Sequence, residues 1–244
     1  MTYNYLPLDK STLTFHQVKN LLKYNQSVSI TYAAHEAILK CRDYLDKKLN
    51  VSDDLFYGIN TGFGFLQNVK IKREQLNTLQ SNLLLSHGCG LGDEVPAEIV
   101  KLMIMLKIKS LSYGYSGIGI EVVKRLIDMY NNDVLPVVYT QGSLGASGDL
   151  APLAHISLPL IGKGEVRMNG EKMTSEKALK KMNWDAISLQ SKEGLALING
   201  TQFMSAYGMY NLIKSEILLN WANVISAISF DAFDCNAECF YEKL

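Results

Sequence analysis

Between residues 194 and 213, GLALINGTQFMSAYGMYNLI, the chain carries no charge over 20 positions, and 217 to 230 are uncharged as well. A helix built from such a stretch is apolar nearly all round and has to be covered on every side. The cover is a bundle core, an oligomer seam or lipid. Asn199, Thr201, Gln202 and Asn211 put groups into the run that would need partners in hydrocarbon. The expectation is therefore a bundle core or subunit seam, not a membrane span. Self-association, or a missing C-terminal half, would supply the neighbours.

The remainder reads as mainly α. Ala34, Ile38, Cys41, Leu45 and Leu49 fall at helical spacing over 32–49, and Leu76, Leu79 and Leu83 do so over 73–86. Pro96 suits a first helical turn, with the apolar helix EIVKLMIMLKIKSL behind it; SYGYSGIG breaks that helix and 120–131 resume it. From about 193 the pattern is helical almost to the end. GEVRMNGEKM alternates around Asn169-Gly170, which predicts a small β-hairpin. The expected division is an N-terminal domain, 1–192, and the start of a long-helix bundle, 193–244. Three glycine-rich loops punctuate the first of these, at 58–64, 88–92 and 142–148.

Charge excludes some partners. Lys plus Arg is 24 and Asp plus Glu is 24, so the basic excess of a nucleic-acid binder or an anionic membrane surface is missing. Cys41, Cys89, Cys235 and Cys239 form no C-x-x-C pair and have no histidine beside them, so no zinc site is expected. Such cysteines suggest a reducing compartment, and MTYNYLPLDKSTLTF lacks the pattern of a signal peptide. The expectation is a cytoplasmic protein.

The glycine-rich loops carry the chemistry. A phosphate loop needs G-x-x-x-x-G-K-[ST], which is absent, and every G-x-G here lacks the third glycine of the dinucleotide fingerprint. Nucleotide binding is not expected. Ser147 in GASGD fails as a hydrolase elbow, because Asp149 stands where G-x-S-x-G requires glycine. A third chemistry fits better. If the Gly148 nitrogen attacks the Ala146 carbonyl, a five-membered ring closes; loss of two waters, one taking the Ser147 hydroxyl, leaves an imidazolinone with an exocyclic methylidene. That product is an electrophile no ordinary side chain provides.

GSLGASGDLAPLAHISLPLIGKGEV, 142–166, closely resembles the signature of the histidine and aromatic amino-acid ammonia-lyases. YGINTGFG at 57–64, LLLSHGCG at 83–90 and EGLALINGTQ at 193–202 match in the same order. The resemblance runs from about residue 8 to about residue 233. It implies a helical ammonia-lyase-like fold whose C-terminal bundle is truncated here. It also implies that Ala146, Ser147 and Gly148 become the methylidene-imidazolone prosthetic group, formed autocatalytically without metal or nucleotide. By position, Tyr57 resembles the base that takes the substrate's β-proton, and Asn199 the asparagine that holds prosthetic group and substrate. Asp149 resembles a residue that orders the loop and assists cyclisation.

Ser86-His87 occupy the positions that face the substrate side chain in that family. Ser-His resembles the histidine enzymes, whereas tyrosine enzymes often have His-Leu and phenylalanine enzymes Phe-Leu. A hydrogen-bonding His87 suits an imidazole better than an apolar wall does. The expected reaction is elimination of ammonia from L-histidine to give urocanate. Tyrosine or phenylalanine ammonia-lyase, or an aminomutase, are the alternatives of the same chemistry; a non-catalytic remnant is the alternative outside it. The family assembles as tetramers, so the expected partners are an amino-acid substrate and either further copies or a complementing C-terminal half. CNAECFYEKL, the last ten residues, departs from the family pattern.

Overall fold

A computed structural model describes residues 5–52 and 54–241. Local signals explain most of its helices. Thr14 and Gln17 form a reciprocal capping box at the start of helix α1 (Phe15–Tyr24), between the short strands β1 (Leu6–Leu8) and β2 (Val28–Ile30), which pair in parallel. Thr31 caps helix α2 (Tyr32–Val51), whose buried residues Ala34, Ile38 and Leu45 belong to the stripe expected from spacing. Helix α3 (Leu76–His87) follows a single 3-10 turn at Arg73–Gln75.

Strand β3 (Leu91–Glu94) precedes helix α4 (Ala97–Leu111), the centre of the core. Leu102, Met103, Ile104, Met105 and Ile108 on α4 are completely buried. Pro96 lies one position outside the helix as its N-cap, its carbonyl accepting from the Val100 amide at 3.1 Å. Helix α5 (Ile120–Asn131) packs on α4, and strands β4 (Leu135–Pro136) and β5 (Tyr139–Gln141) follow. Strand β5 pairs antiparallel with β3, which ties the loop after α3 to the loop before helix α6 (Leu150–Ser157).

The hairpin is formed by β6 (Glu165–Met168) and β7 (Glu171–Thr174), with Asn169 at φ 52° and Gly170 at φ 81°, the two positive angles of a type I′ turn. Strand β4 adds to its edge as a third strand. Helix α7 (Ser175–Met182) is capped by Thr174.

The C-terminal helix is not continuous. It is broken at Asn199–Thr201 into α8 (Glu193–Ile198) and α9 (Gln202–Ala232). Apolar periodicity runs through the break, but Asn-Gly is a turn dipeptide and Gly200 takes φ 142°, outside any helix. Buried Glu193 fixes the start of α8. Its carboxylate accepts from the Gly119 and Gln190 amides, each at 2.7 Å, and burial raises its pKa. Arg42 completes this corner by donating to the carbonyls of Gly117 and Ser191, both at 2.9 Å.

The chain divides after Ala206 into two compact units. In the second, α9 continues to Ala232, the Cys235 amide donates to the Phe230 carbonyl at 3.1 Å, and Phe230 and Phe240 meet edge to face. Leu218, Trp221, Ile225 and Ile228 are each about 60–70% exposed, at 69, 61, 59 and 64%. That is the uncovered apolar helix anticipated from the charge-free run. Among the described residues, no helix is long and apolar enough to cross a membrane.

Candidate active site

The loop between β5 and α6 is built to present Ala146-Ser147. Gly145 at φ 82° and Gly148 at φ 109° bracket the pair, and both residues between them are exposed. A side chain at Gly148 could not fit: its Cβ would lie 2.5 Å from the Gly200 carbonyl oxygen. The sequence therefore needs glycine here twice over, for the dihedral and for the approach of a second backbone.

Asp149 anchors this turn from beneath. It is 3% exposed. Its amide donates to the Gly200 carbonyl at 2.8 Å, and its carboxylate accepts from the Met204 amide at 3.0 Å and the Ser143 hydroxyl at 3.4 Å. A buried carboxylate held by such donors rigidifies whatever it joins. Here it joins the tripeptide loop to the α8–α9 break.

Ser86 and His87 come from the last turn of α3. The Ser86 hydroxyl donates to the Leu83 carbonyl at 3.0 Å, and His87 Nδ1 lies 2.9 Å from the same carbonyl and 3.1 Å from Ser86 Oγ. These contacts fix the imidazole ring at the end of the helix. Ser86, His87, Ala146, Ser147 and Gly148 line one cleft of ≈160 Å³. Cys89 lines it too, a residue that spacing alone gave no reason to single out.

Tyr57 and Asn199 do not line that cleft. Tyr57 is 56% exposed; its ring meets Phe63 edge to face and its oxygen accepts from the Gly64 amide at 3.4 Å. Asn199 ends α8 with an exposed side chain. Its carbonyl accepts from Lys107 Nζ at 2.7 Å. Lys107 projects from the middle of α4, 1% exposed, and burial pulls its ammonium down to about 7.

His155 on α6 reaches the loop that follows α3. Its Nε2 accepts from the Gly90 amide at 2.9 Å, and its ring packs edge to face on Tyr139. Burial lowers its pKa below the ordinary 6.5, so the neutral ring that can accept this bond is favoured in the folded chain. The unfolded chain then binds more protons, so the associated stability is present above about pH 6.5 and lost as pH falls toward the folded value. The thermal midpoint is expected to drop between pH 7 and pH 5, and His155→Leu to flatten that drop. An identical pH profile in the variant would remove His155 from this role.

A wider cleft of ≈600 Å³ lies among residues 223–240, lined by Phe230, Asp231, Asp234, Cys235 and Phe240 among others, with no basic side chain among the described residues that line it. Its chemistry is poorer than that of the smaller cleft. Among the described residues, no group of three or more His, Cys, Asp or Glu side chains converges as for a metal.

Residues 13–244 match the family model for aromatic amino acid lyase. The histidine ammonia-lyase of Deinococcus radiodurans is 43% identical over 220 residues, covering 90% of this chain and 42% of that enzyme. The crystal structure of histidine ammonia-lyase from Trypanosoma cruzi superposes with a TM-score of 0.86 at 33% identity, over 94% of this chain and 45% of that one. The ergothioneine-degrading ergothionase of Treponema denticola superposes with a TM-score of 0.91 at 28% identity, over 98% and 48%. The chain thus spans less than half the length of these relatives.

Proposed function

Because this chain belongs to the aromatic amino acid lyase family, we propose that it carries the electrophile-bearing half of a histidine ammonia-lyase, which eliminates ammonia from L-histidine to give urocanate. The observation that carries the reading is the convergence of Ser86-His87 and Ala146-Ser147-Gly148 on one cleft. The tripeptide fits a methylidene-imidazolone. Ring closure needs a tight turn with an unhindered nitrogen at its third residue, and Gly148 at φ 109° against the Gly200 backbone meets that need.

When formed, the group supplies an electrophilic carbon that turns the substrate amine into a better leaving group. The chain's own residues do the rest. Asp149 holds the turn in place through its bonds to Gly200 and Met204. His87, fixed by Leu83 and Ser86, faces the substrate imidazole and offers it a polar partner. Tyr57 accepts the β-proton, and Asn199 orients the bound amino acid. Both join the site in the working assembly.

That assembly includes further copies of the chain and the remaining half of the family fold. The exposed apolar face carrying Leu218, Trp221, Ile225 and Ile228 is the surface it would cover. Cys41, Cys89 and Cys235 are free, in keeping with a reducing, cytoplasmic setting.

The test is an assay of the chain with its complementing half for urocanate formation from histidine, with tyrosine and phenylalanine as competitors. His87→Leu is expected to move preference away from histidine toward the aromatic substrates. An unchanged preference would assign the selectivity elsewhere, and turnover of tyrosine alone by the unaltered chain would favour the aromatic-lyase reading.

A further inference from the structure

We infer that Lys107 is a positioning residue for the prosthetic-group loop, acting through the Asn199 carbonyl and the α8–α9 break. The inference rests on the reading that Ala146-Ser147-Gly148 cyclise. Lys107 stands in the middle of α4, surrounded in sequence by Leu102, Met103, Ile104, Met105 and Ile108, all completely buried. A cation in such a place carries a large desolvation penalty, and a methionine of similar length would pack there without it. Structural economy alone therefore does not account for a lysine.

Among the described residues the ammonium reaches one acceptor, the Asn199 carbonyl at 2.7 Å. Asn199 is the last residue before Gly200, and the next carbonyl along, that of Gly200, accepts from the Asp149 amide at 2.8 Å. The same Gly200 backbone lies where a Cβ on Gly148 would be. Lys107 thus fixes one end of a two-residue segment whose other end braces the third residue of the tripeptide. Without that bond the break loses its tie to the core helix, and Gly200 no longer has a fixed position against Gly148.

Ring closure is sensitive to such a shift because it is a geometric event. The Gly148 nitrogen forms a bond to the Ala146 carbonyl carbon. The Ala146 oxygen leaves as water with the protons of the Gly148 and Ser147 amides, and the Ser147 hydroxyl leaves as a second water with the Ser147 α-proton. No oxidant or reductant enters.

The experiment compares the unaltered chain with Lys107→Met, Lys107→Gln and Lys107→Arg. It follows the fraction of molecules two waters lighter over time, beside the thermal midpoint of each. Lys107→Met is expected to fold with an equal or higher midpoint yet to cyclise roughly 10- to 100-fold more slowly, the range lost with a hydrogen bond from a charged donor. Lys107→Arg, which keeps a cationic donor, is expected to restore most of the rate. A merely structural lysine would leave cyclisation as fast in the folded methionine variant as in the unaltered chain, and that result overturns the inference. If Lys107→Met does not fold, Lys107→Gln decides: its side chain is too short to make the same bond, so a wild-type rate there is equally contrary. An unaltered chain that never loses water overturns the cyclisation reading itself, and is told apart because all four proteins then share an unmodified tripeptide.

Discussion

Ser147→Ala yields a chain that folds normally, keeps its full mass and has no lyase turnover in any assembly. The hydroxyl that leaves as the second water is gone, so no methylidene carbon forms, whatever else the loop does. The fold is spared because Ser147 is exposed. Surface substitutions away from special features change stability by only about 0.5 kcal/mol or less. The informative result is the pairing of an unshifted thermal midpoint with complete loss of the mass change. A general unfolding of the loop region would lower both together. Turnover at the unaltered rate in Ser147→Ala would remove the serine, and with it the proposed electrophile, from the mechanism.

Tyr57→Phe separates the second chemical role from the first. The phenyl ring keeps its edge contact with Phe63, and among the described residues the phenol oxygen loses one bond, the one it accepts from the Gly64 amide at an exposed position. Cyclisation should proceed as before, because Tyr57 is not a partner in the bonds that hold the tripeptide turn. In the assembled enzyme kcat should fall by roughly 10²–10⁴, the usual worth of a positioned base. KM should change much less, since the base acts on a proton that moves in the transition state. A variant that cyclises but retains kcat contradicts the assignment of Tyr57 as base. A variant that fails to cyclise makes Tyr57 part of the loop's architecture instead.

These two variants act on residues that sequence alone brought forward, and much else was legible in the same way. The hairpin was legible because Asn169-Gly170 is nearly the only dipeptide chemistry that closes a two-residue turn between alternating strands. Helix α2 was legible because its buried stripe repeats at helical spacing. Helix α1, not among the expected elements, carries its signals all the same, with Thr14 and Gln17 at capping-box spacing and Phe15, Val18, Leu21 and Leu22 at helical spacing. The break at Asn199–Thr201 was hidden by strong apolar periodicity on both sides, and only the Asn-Gly pair signalled it.

The site divides in the same manner. Ser86, His87, Ala146, Ser147 and Gly148 sit in motifs, and the fold brings them to one cleft. Lys107 could not be found that way, and His155 lies inside the 142–166 motif with no role attached to it. In IVKLMIMLKIKSL, Lys107 looks like any solvated lysine beside Lys101 and Lys109, yet it is buried and donates to the Asn199 carbonyl. Lys109 is buried too, and donates to the Ser11 carbonyl at 2.6 Å. Which lysine faces the core depends on how α4 is wrapped by its neighbours, a property of packing that local pattern does not encode. His155 is similar: its bond to the Gly90 amide joins residues 65 positions apart.

Whether this chain makes its own electrophile is read from the intact mass of the purified chain. Peptide mapping across residues 142–149 then locates any change. The expected result is a chain lighter than its amino-acid sequence by two waters, with the loss confined to Ala146-Ser147-Gly148. A mass equal to that of the unmodified sequence, in a protein shown to be folded, would contradict it.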